Sequence, residues 1–264
     1  DEIVGYANRR KSLQQQLAHG FVGWNPTKKL FSDFQKLPET SWKHLDGHPI
    51  LYQDEGVDYV MFGHASPNFR VKADVRTIRF GLTFETYSCL LPNGDVDYDD
   101  RRAPIWRWRS DGTPIDSERE ASLIKRGKLA REQCKFLFTE HATKRMVIPH
   151  RGSVRWNAII QRWVLVFTAI HEPNSMLGEL YIAAATTPTG PWTPCIRIAT
   201  HPRYSFYNPV HHSWLDKQRG KVITIEGTYT MSFSGTSVPT PHYEYNQLTY
   251  QVDLSDERLA ILTS

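Results

Sequence analysis

Two glutamates stand next to glycine within apolar, strand-like runs, where a carboxylate is a candidate acid–base group. They are Glu179 and Glu226. A carboxylate in such surroundings is either paired with a cation or has a raised pKa, and a raised pKa suits a general acid. Glycoside hydrolysis uses two carboxylates across the scissile bond. We therefore predict Glu179 and Glu226 as a catalytic pair, with Asp46 as a further candidate. The alternative is a structural salt bridge from either glutamate to Arg151 or Arg155.

A second set of polar side chains falls around the predicted starts of two strands. It contains donors, acceptors and an aromatic hydroxyl, and its members are His150, Arg151, Asn157, Tyr207, Asn208 and His211. Sugar hydroxyl groups need both donors and acceptors, and an aromatic ring covers the apolar side of the sugar. We predict that these residues bind an oligo- or polysaccharide substrate.

The adjacent histidines His211 and His212 raise the question of a metal site. Neighbouring residues of a strand point to opposite faces, so the two imidazoles do not easily bind one ion. We predict no metal and no cofactor. Tyr207 and His211 are instead similar to the acid and base of polysaccharide lyases, which work beside an arginine that neutralises a uronate. That chemistry needs no carboxylate pair and is the rival to hydrolysis.

Charge and motifs argue against several other classes of protein. The net charge is only +4 and the basic residues are scattered, so we predict no nucleic-acid partner. No run approaches the roughly 18 apolar residues of a membrane span, so we predict no membrane partner. The three cysteines are far apart and lack metal-binding spacing. The sequence contains no nucleophile elbow, phosphate loop, dinucleotide fingerprint or zinc-protease motif.

The pattern along the chain is mainly that of short antiparallel strands. The strongest signals cover residues 153–158, 163–169, 179–186 and 195–199, with turns between them. Four such strands in succession make one propeller blade. The order of polar strand, turn, apolar strand and aromatic strand recurs near residues 47 and 208. We therefore predict an all-β protein with a β-propeller fold, and the alternative is an irregular β-sandwich.

Two segments depart from this pattern. Residues 8–19 favour a short polar helix. Residues 95–135 interrupt the strands, and we predict that they form a loop and helical insertion outside the ring. Within the insertion, Ser117 is expected to cap a helix, with Glu120 completing a capping box.

The chain is expected to form a single propeller domain over residues 1–264. Three blades are visible in the pattern, and residues 1–46 supply part of another. Three blades do not close a ring, because propellers have at least four. We expect five blades, with the ring completed by N-terminal blades upstream of Asp1 or by a partner chain.

Residues 178–192 end in Pro188-Thr189-Gly190-Pro191-Trp192 and resemble a blade of the five-bladed glycosidase propellers of the arabinanase and levansucrase-like group. From about Gly23 to Leu254 the chain also resembles an uncharacterised group of secreted propellers from planctomycetes and related bacteria. The matching stretches are YVMFG at 59–63, FRVKA at 69–73, RGSVRWN at 151–157, YSFYNP at 204–209, IEGTYT at 225–230 and YEYNQ at 243–247. The resemblance implies a propeller and a secreted or periplasmic location, but no established activity.

The expected function is that of a carbohydrate-active protein, with glycoside hydrolysis favoured. A polysaccharide lyase and a non-catalytic sugar-binding or scaffold propeller are the alternatives. Two carboxylates facing one cavity would support hydrolysis. Arginine, tyrosine and histidine without a carboxylate pair would support elimination.

Overall fold

The computed structural model describes residues 3–12, 15–170, 176–232 and 234–264. The protein is mostly β, with 44% strand and 12% helix, which confirms the predicted class. Its sheets are arranged as a β-propeller, as predicted, and four blades are found in the described part of the chain; a five-bladed ring completed from outside this chain stays a prediction. The four antiparallel sheets divide between two compact units. The first unit comprises residues 1–63 and 68–115, and the second comprises residues 64–67 and 116–264.

The first sheet of the first unit corrects the predicted helix at residues 8–19. The chain forms strands β1 (Val4–Arg10), β2 (Gln16–Asn25) and β3 (Leu30–Lys36), paired in that order. Residues 13 and 14 lie outside the described part of the chain. The pairing buries Phe21 at the centre of the sheet, and this burial outweighs the weak local preference of the polar segment for a helix.

The second sheet contains five strands in chain order. They are β4 (Ile50–Asp54), β5 (Val57–Phe62), β6 (Phe69–Lys72), β7 (Glu85–Ser88) and β8 (Arg107–Arg109), with helix α1 (Val75–Arg79) between β6 and β7. The hairpin predicted within residues 47–63 is confirmed. Arg70 stabilises this sheet, because its guanidinium pairs with Asp54 and Glu85 at 2.6 and 2.7 Å and lies 4.0 Å from the Tyr59 ring centroid.

The predicted insertion at residues 95–135 is divided between the two units. Its first part contributes β8, which lies at the edge of the second sheet. Its second part forms helix α2 (Ser117–Lys125) and a 3-10 turn at Arg131–Gln133. The predicted position of the segment outside the ring stays a prediction.

The start of α2 differs from the expected capping box. Asp116, and not Ser117, is the N-cap, and its side chain accepts a hydrogen bond from the Arg119 N–H at 2.8 Å. Glu120 does not turn back to the cap. Its buried carboxylate instead accepts the backbone N–H groups of residues 135–137 at 2.6–2.9 Å, and it thereby ties the helix to the chain that follows.

The third sheet confirms the strongest strand predictions. Its strands are β9 (Phe138–Thr139), β10 (Met146–Asn157), β11 (Arg162–Ile170), β12 (Glu179–Ala185) and β13 (Ile196–Thr200). The residues from Val164 to Val166 are buried as predicted, but Trp163 is only half-buried. Trp192 is also half-buried. Its ring lies 6.3 Å from Phe138 of its own sheet, whereas we expected it against a neighbouring blade.

The fourth sheet consists of β14 (Ser205–His211), β15 (Val222–Thr230) and β16 (Tyr245–Asp253). One face of it packs against the third sheet, and the shared core includes Val164, Val166, Leu180, Ile182, Phe206, Ile223 and Ile225. A hydrogen bond also joins strands β10 and β14, since the His211 backbone N–H donates to the side-chain oxygen Ser153 Oγ at 2.7 Å.

Strands β10 and β14 carry a β-bulge at corresponding places. In β10, Pro149 pairs with Ala169 and Gly152 with Phe167, so His150 and Arg151 together face one residue of β11. In β14, Tyr207 pairs with Thr228 and Val210 with Glu226, so residues 208 and 209 together face one residue of β15. The predicted equivalence of the segments near residues 153 and 208 is therefore visible in the backbone. Bulges of this kind redirect side chains and are common next to active sites.

Candidate functional site

The face of the fourth sheet that points away from the shared core is polar. Because side chains alternate along a strand, Ile223 and Ile225 of β15 enter the core while Glu226 and Thr228 project from the other face. Ladder partners share a face, which adds Tyr207 of β14 together with Gln247 and Thr249 of β16. We call these five residues, Tyr207, Glu226, Thr228, Gln247 and Thr249, the polar face of the fourth sheet.

A chain of hydrogen bonds orders this polar face. Thr228 Oγ1 donates to Gln247 Oε1 at 2.6 Å, and Gln247 Nε2 donates to Glu226 Oε1 at 2.9 Å. The other carboxylate oxygen, Glu226 Oε2, lies 3.2 Å from His212 Nε2. The Glu226 side chain remains 40% exposed, so it can still accept a hydrogen bond from a ligand or exchange a proton with one.

Aromatic rings lie beside this chain of polar groups. The Trp214 ring is 4.6 Å from that of His212, and the tryptophan is 69% exposed. Tyr245 follows the same alternation on β16 as Gln247 and is also exposed. Exposed rings next to mixed donors and acceptors suit a ligand with one apolar side and several hydroxyl groups.

The bulge of β10 contains His150, which lies near Tyr207 of the polar face. The His150 ring lies 5.9 Å from the Tyr207 ring. Burial, followed by the charges of Arg151 and His64, lowers the pKa of His150 to about 4, so its imidazole is neutral at pH 7. Its Nδ1 atom is buried and has no hydrogen-bond partner among the described residues. A neutral imidazole with an open ring nitrogen can accept a proton or a hydrogen bond.

Two further predicted residues belong to the bulges themselves. Arg151 is half-buried, and its side chain makes no hydrogen bond or ion pair within the described ranges of the chain. Asn208 is exposed and has a φ of +50°, a left-handed conformation that asparagine tolerates better than most residues. Both side chains are therefore open to a ligand.

The structure places Glu179 away from this surface. Its side chain is 0% exposed on β12, where Oε1 accepts a hydrogen bond from Thr200 Oγ1 at 2.9 Å and lies 3.5 Å from Arg197 Nη1. Glu226 lies in a different sheet. The predicted pair facing one cavity is thus not found, because Glu179 is held inside the third sheet. The structural salt bridge that we considered is present, but with Arg197 as the partner.

Asn157 and His211 also fail to join the predicted surface. Asn157 is buried at the opposite end of β10 from His150, roughly 20 Å along the strand. Its amide donates to the Gly220 carbonyl at 2.7 Å. His211 pairs with Ile225 and therefore points to the core side. It is buried there, with Nε2 3.0 Å from Asp216 Oδ2. Both side chains are occupied by structural contacts.

Asp46 lies in the first unit, and its charge acts on Tyr6. Burial, and after it the charge of Asp46, raises the pKa of Tyr6. This places the third carboxylate candidate with Tyr6, and its predicted role as a catalytic group stays untested.

Four residues of the site were not predicted from the sequence: Thr228, Gln247, Thr249 and Trp214. The signal for the first three was present as the alternation of polar residues along β15 and β16, where Glu226, Thr228, Gln247 and Thr249 occupy every second position. Alternating polar residues usually mark a solvated face. Only the pairing of the two strands shows that they form one hydrogen-bonded group.

A cavity of about 240 Å³ lies elsewhere in the second unit, between β13, β16 and the C-terminal 3-10 segment Glu257–Thr263. The charged groups in its wall are engaged by other residues of the protein, and Asp253 accepts hydrogen bonds from Ser255. Asp256 pairs with Arg258, and Arg197 is engaged by Glu179. We therefore place the candidate site on the polar face and not in this cavity.

Within the described residues, no group of three or more histidine, cysteine, aspartate or glutamate side chains is arranged to hold a metal ion. None of the described helices is long and apolar enough to span a membrane. Comparison with protein-family models found no match, and a search of curated proteins found no relative either.

Proposed function

We propose that this protein is carbohydrate-active and binds an oligo- or polysaccharide on the polar face of the fourth sheet. The observation that carries the proposal is the ordered chain from Thr228 through Gln247 and Glu226 to His212, with the exposed Trp214 ring beside it. This surface offers donors, acceptors and an aromatic platform within one region. A secreted or periplasmic location would suit such a ligand and stays a prediction.

The polar groups suit hydroxyl recognition because their orientation is fixed in advance. Gln247 uses one amide hydrogen and its oxygen within the chain, which leaves its second amide hydrogen for a ligand. Glu226 accepts from Gln247 on one oxygen and contacts His212 with the other, and each oxygen retains a further lone pair. Ordering side chains before binding lowers the entropy lost when the ligand binds.

The chemistry that this surface supports differs from the hydrolysis that we first expected. Hydrolysis needs two carboxylates across the bond, and the buried position of Glu179 argues against the predicted pair. Glu226 remains a candidate acid–base group, with His212 next to it. Saccharide binding is therefore the function best supported, and catalysis through Glu226 would require a second group on the ligand side.

Elimination is the second candidate function, and the His150–Tyr207 contact favours it. His211 is occupied by Asp216, so His150 replaces it as the histidine next to Tyr207. In such a reaction a base removes the proton next to a uronate carboxylate. An acid then protonates the leaving oxygen as the C–O bond breaks and a C=C bond forms. His150 and Tyr207 supply two groups capable of proton transfer.

Binding would be tested by affinity electrophoresis and calorimetry with purified galactan, arabinan and polygalacturonate. We expect Trp214→Ala and Glu226→Gln to weaken binding of the preferred glycan about tenfold or more. Trp156→Ala is the matched control, because Trp156 is exposed on β10, outside the polar face. Equal binding by all four proteins would overturn the proposal.

Catalysis would be tested on the same glycans. Release of reducing ends without ultraviolet-absorbing products indicates hydrolysis, and unsaturated products indicate elimination. For elimination, His150→Ala and Tyr207→Phe should abolish product formation while glycan binding persists. Binding without turnover in the wild type would favour the non-catalytic form of the proposal.

A further inference from the structure

We infer that the saccharide is acidic and that Arg151 binds its anionic group, either a uronate carboxylate or a sulfate ester, at the bulge of β10. This inference rests on the proposed function, since it names the chemical class of the ligand at that site. It depends on three features of the bulge: an arginine without a partner among the described residues, the charge of its neighbours, and its position beside the polar face.

The first feature is that no described residue supplies a counter-charge to Arg151. Other arginines of the second unit are engaged within the protein: Arg197 pairs with Glu179, and Arg145 donates to the Tyr181 hydroxyl at 2.8 Å. Arg151 is half-buried yet has no hydrogen bond or ion pair to any described residue. A guanidinium that has lost part of its hydration and keeps five donors open is suited to bidentate binding of an oxyanion.

The second feature is the sign of the local charge. The charges that act on His150 are those of Arg151 and His64, and both disfavour a further positive charge. The His64 carbonyl accepts the Gly152 N–H at 2.9 Å, which fixes this histidine's backbone next to the bulge. Glu226 is already engaged by Gln247 and His212. The bulge therefore presents positive charge that an anion on the ligand would balance.

The third feature is continuity with the sugar site. His150 precedes Arg151 in the bulge, and its ring lies 5.9 Å from that of Tyr207, which is a member of the polar face through its pairing with Thr228. A saccharide that contacts Tyr207 thus lies beside the bulge. Arg151 is the second residue of this bulge, and the two residues together face a single residue of β11.

The test compares three galactose-based polymers that differ in charge: neutral galactan, polygalacturonate with carboxylates, and a sulfated galactan. We expect the wild-type chain to bind at least one anionic polymer about tenfold or more tightly than the neutral one at low salt. Added salt should reduce this difference. Preference for polygalacturonate assigns the carboxylate, preference for the sulfated polymer assigns the sulfate ester, and preference for both assigns the shared oxyanion chemistry.

The variant Arg151→Gln should remove the preference for the anionic polymer, so that its affinities for the anionic and neutral polymers become equal. Arg126→Gln, at the exposed end of α2, is the control for the loss of one charge. Arg151→Lys retains the charge without the planar donors, so we expect part of the preference to remain. Circular dichroism and thermal melting establish that each variant is folded.

Equal affinity for charged and neutral polymers in the wild type would overturn the inference. An Arg151→Gln variant with the same preference for the anionic polymer as Arg126→Gln would also overturn it. If Arg151→Gln does not fold, a folded Arg151→Lys variant with the full wild-type preference would overturn it instead. Failure of the proposed function has a different outcome, because Trp214→Ala and Glu226→Gln would then bind every polymer as the wild type does. The two failures can therefore be told apart in the same set of measurements.

Discussion

The carboxylate of Glu120 should make the stability of the second unit depend on pH. Burial raises the pKa of Glu120 to about 7, against three backbone N–H bonds from residues 135–137 that lower it. Desolvation is thus the larger of two opposing effects. The substitution Glu120→Gln removes the titration and keeps the size of the side chain.

The direction in which stability changes with pH follows from comparing the pKa of Glu120 in the folded and unfolded states. The folded pKa of about 7 lies above the ordinary value of 4.5, so the folded state holds the proton more strongly. The stability that this gives is complete below pH 4.5 and is lost as the pH rises through 7. The shift corresponds to about 3 kcal/mol of unfolding free energy. From pH 4.5 to pH 8, wild type should therefore lose about 3 kcal/mol relative to Glu120→Gln.

Urea unfolding of wild type and Glu120→Gln at a series of pH values measures this difference. Hydrogen exchange at the amides of residues 135–137 supplies a local readout, because these N–H groups bond to the carboxylate. Glu118→Gln is the control on the same helix, since Glu118 is exposed. If the difference in unfolding free energy between wild type and Glu120→Gln did not change with pH, the reasoning would be refuted. If wild type gained stability relative to Glu120→Gln as the pH rose, the three N–H bonds would outweigh desolvation.

Three further predictions follow from buried or ordered groups of the second unit. Glu179→Gln should lower the free energy of unfolding by about 1–3 kcal/mol and leave saccharide affinity unchanged, because its partners are internal; a folded variant without affinity would contradict this. Asp216→Asn should cost a similar amount by weakening the contacts to His211 and the Thr224 N–H, and an unaltered urea midpoint would argue against it. In NMR titration, His150 should have a pKa of about 4, and a value at or above 6.5 would mean that its ring is not desolvated.

The strands of the second unit could be predicted because their signal is local. The apolar run from Val164 to Phe167 and the alternation in β15 are visible without knowledge of their partners. The segment at residues 8–19 shows the limit of this approach. Gly20, which follows the segment predicted as a helix, is a position where an added Cβ would lie 2.1 Å from the Gln35 carbonyl oxygen. It is glycine because β3 passes close to it, and the sequence of the segment does not show that contact.

The two glutamates show why one member of the predicted catalytic pair lies away from the polar face. Glu179 and Glu226 have similar local sequences, each beside a glycine and within an apolar strand. Both pair with an exposed threonine, Glu179 with Thr200 and Glu226 with Thr249. Their environments nevertheless differ, because Glu179 is 0% exposed within the third sheet whereas the Glu226 side chain is 40% exposed on the polar face. Burial of a strand residue depends on which face its neighbours cover, and that is a property of the assembled sheets.

The bulges carry the strongest link between backbone and candidate function. A one-residue bulge changes which side chains share a face, so it cannot be recognised from one strand alone. In β10 it sets His150 and Arg151 opposite a single residue of β11, with the His150 ring 5.9 Å from that of Tyr207, and in β14 it includes the exposed Asn208. A regular ladder would separate His150 and Arg151 onto opposite faces. The same irregularity in β10 and β14 therefore explains why strand periodicity alone does not predict which of these side chains share a face.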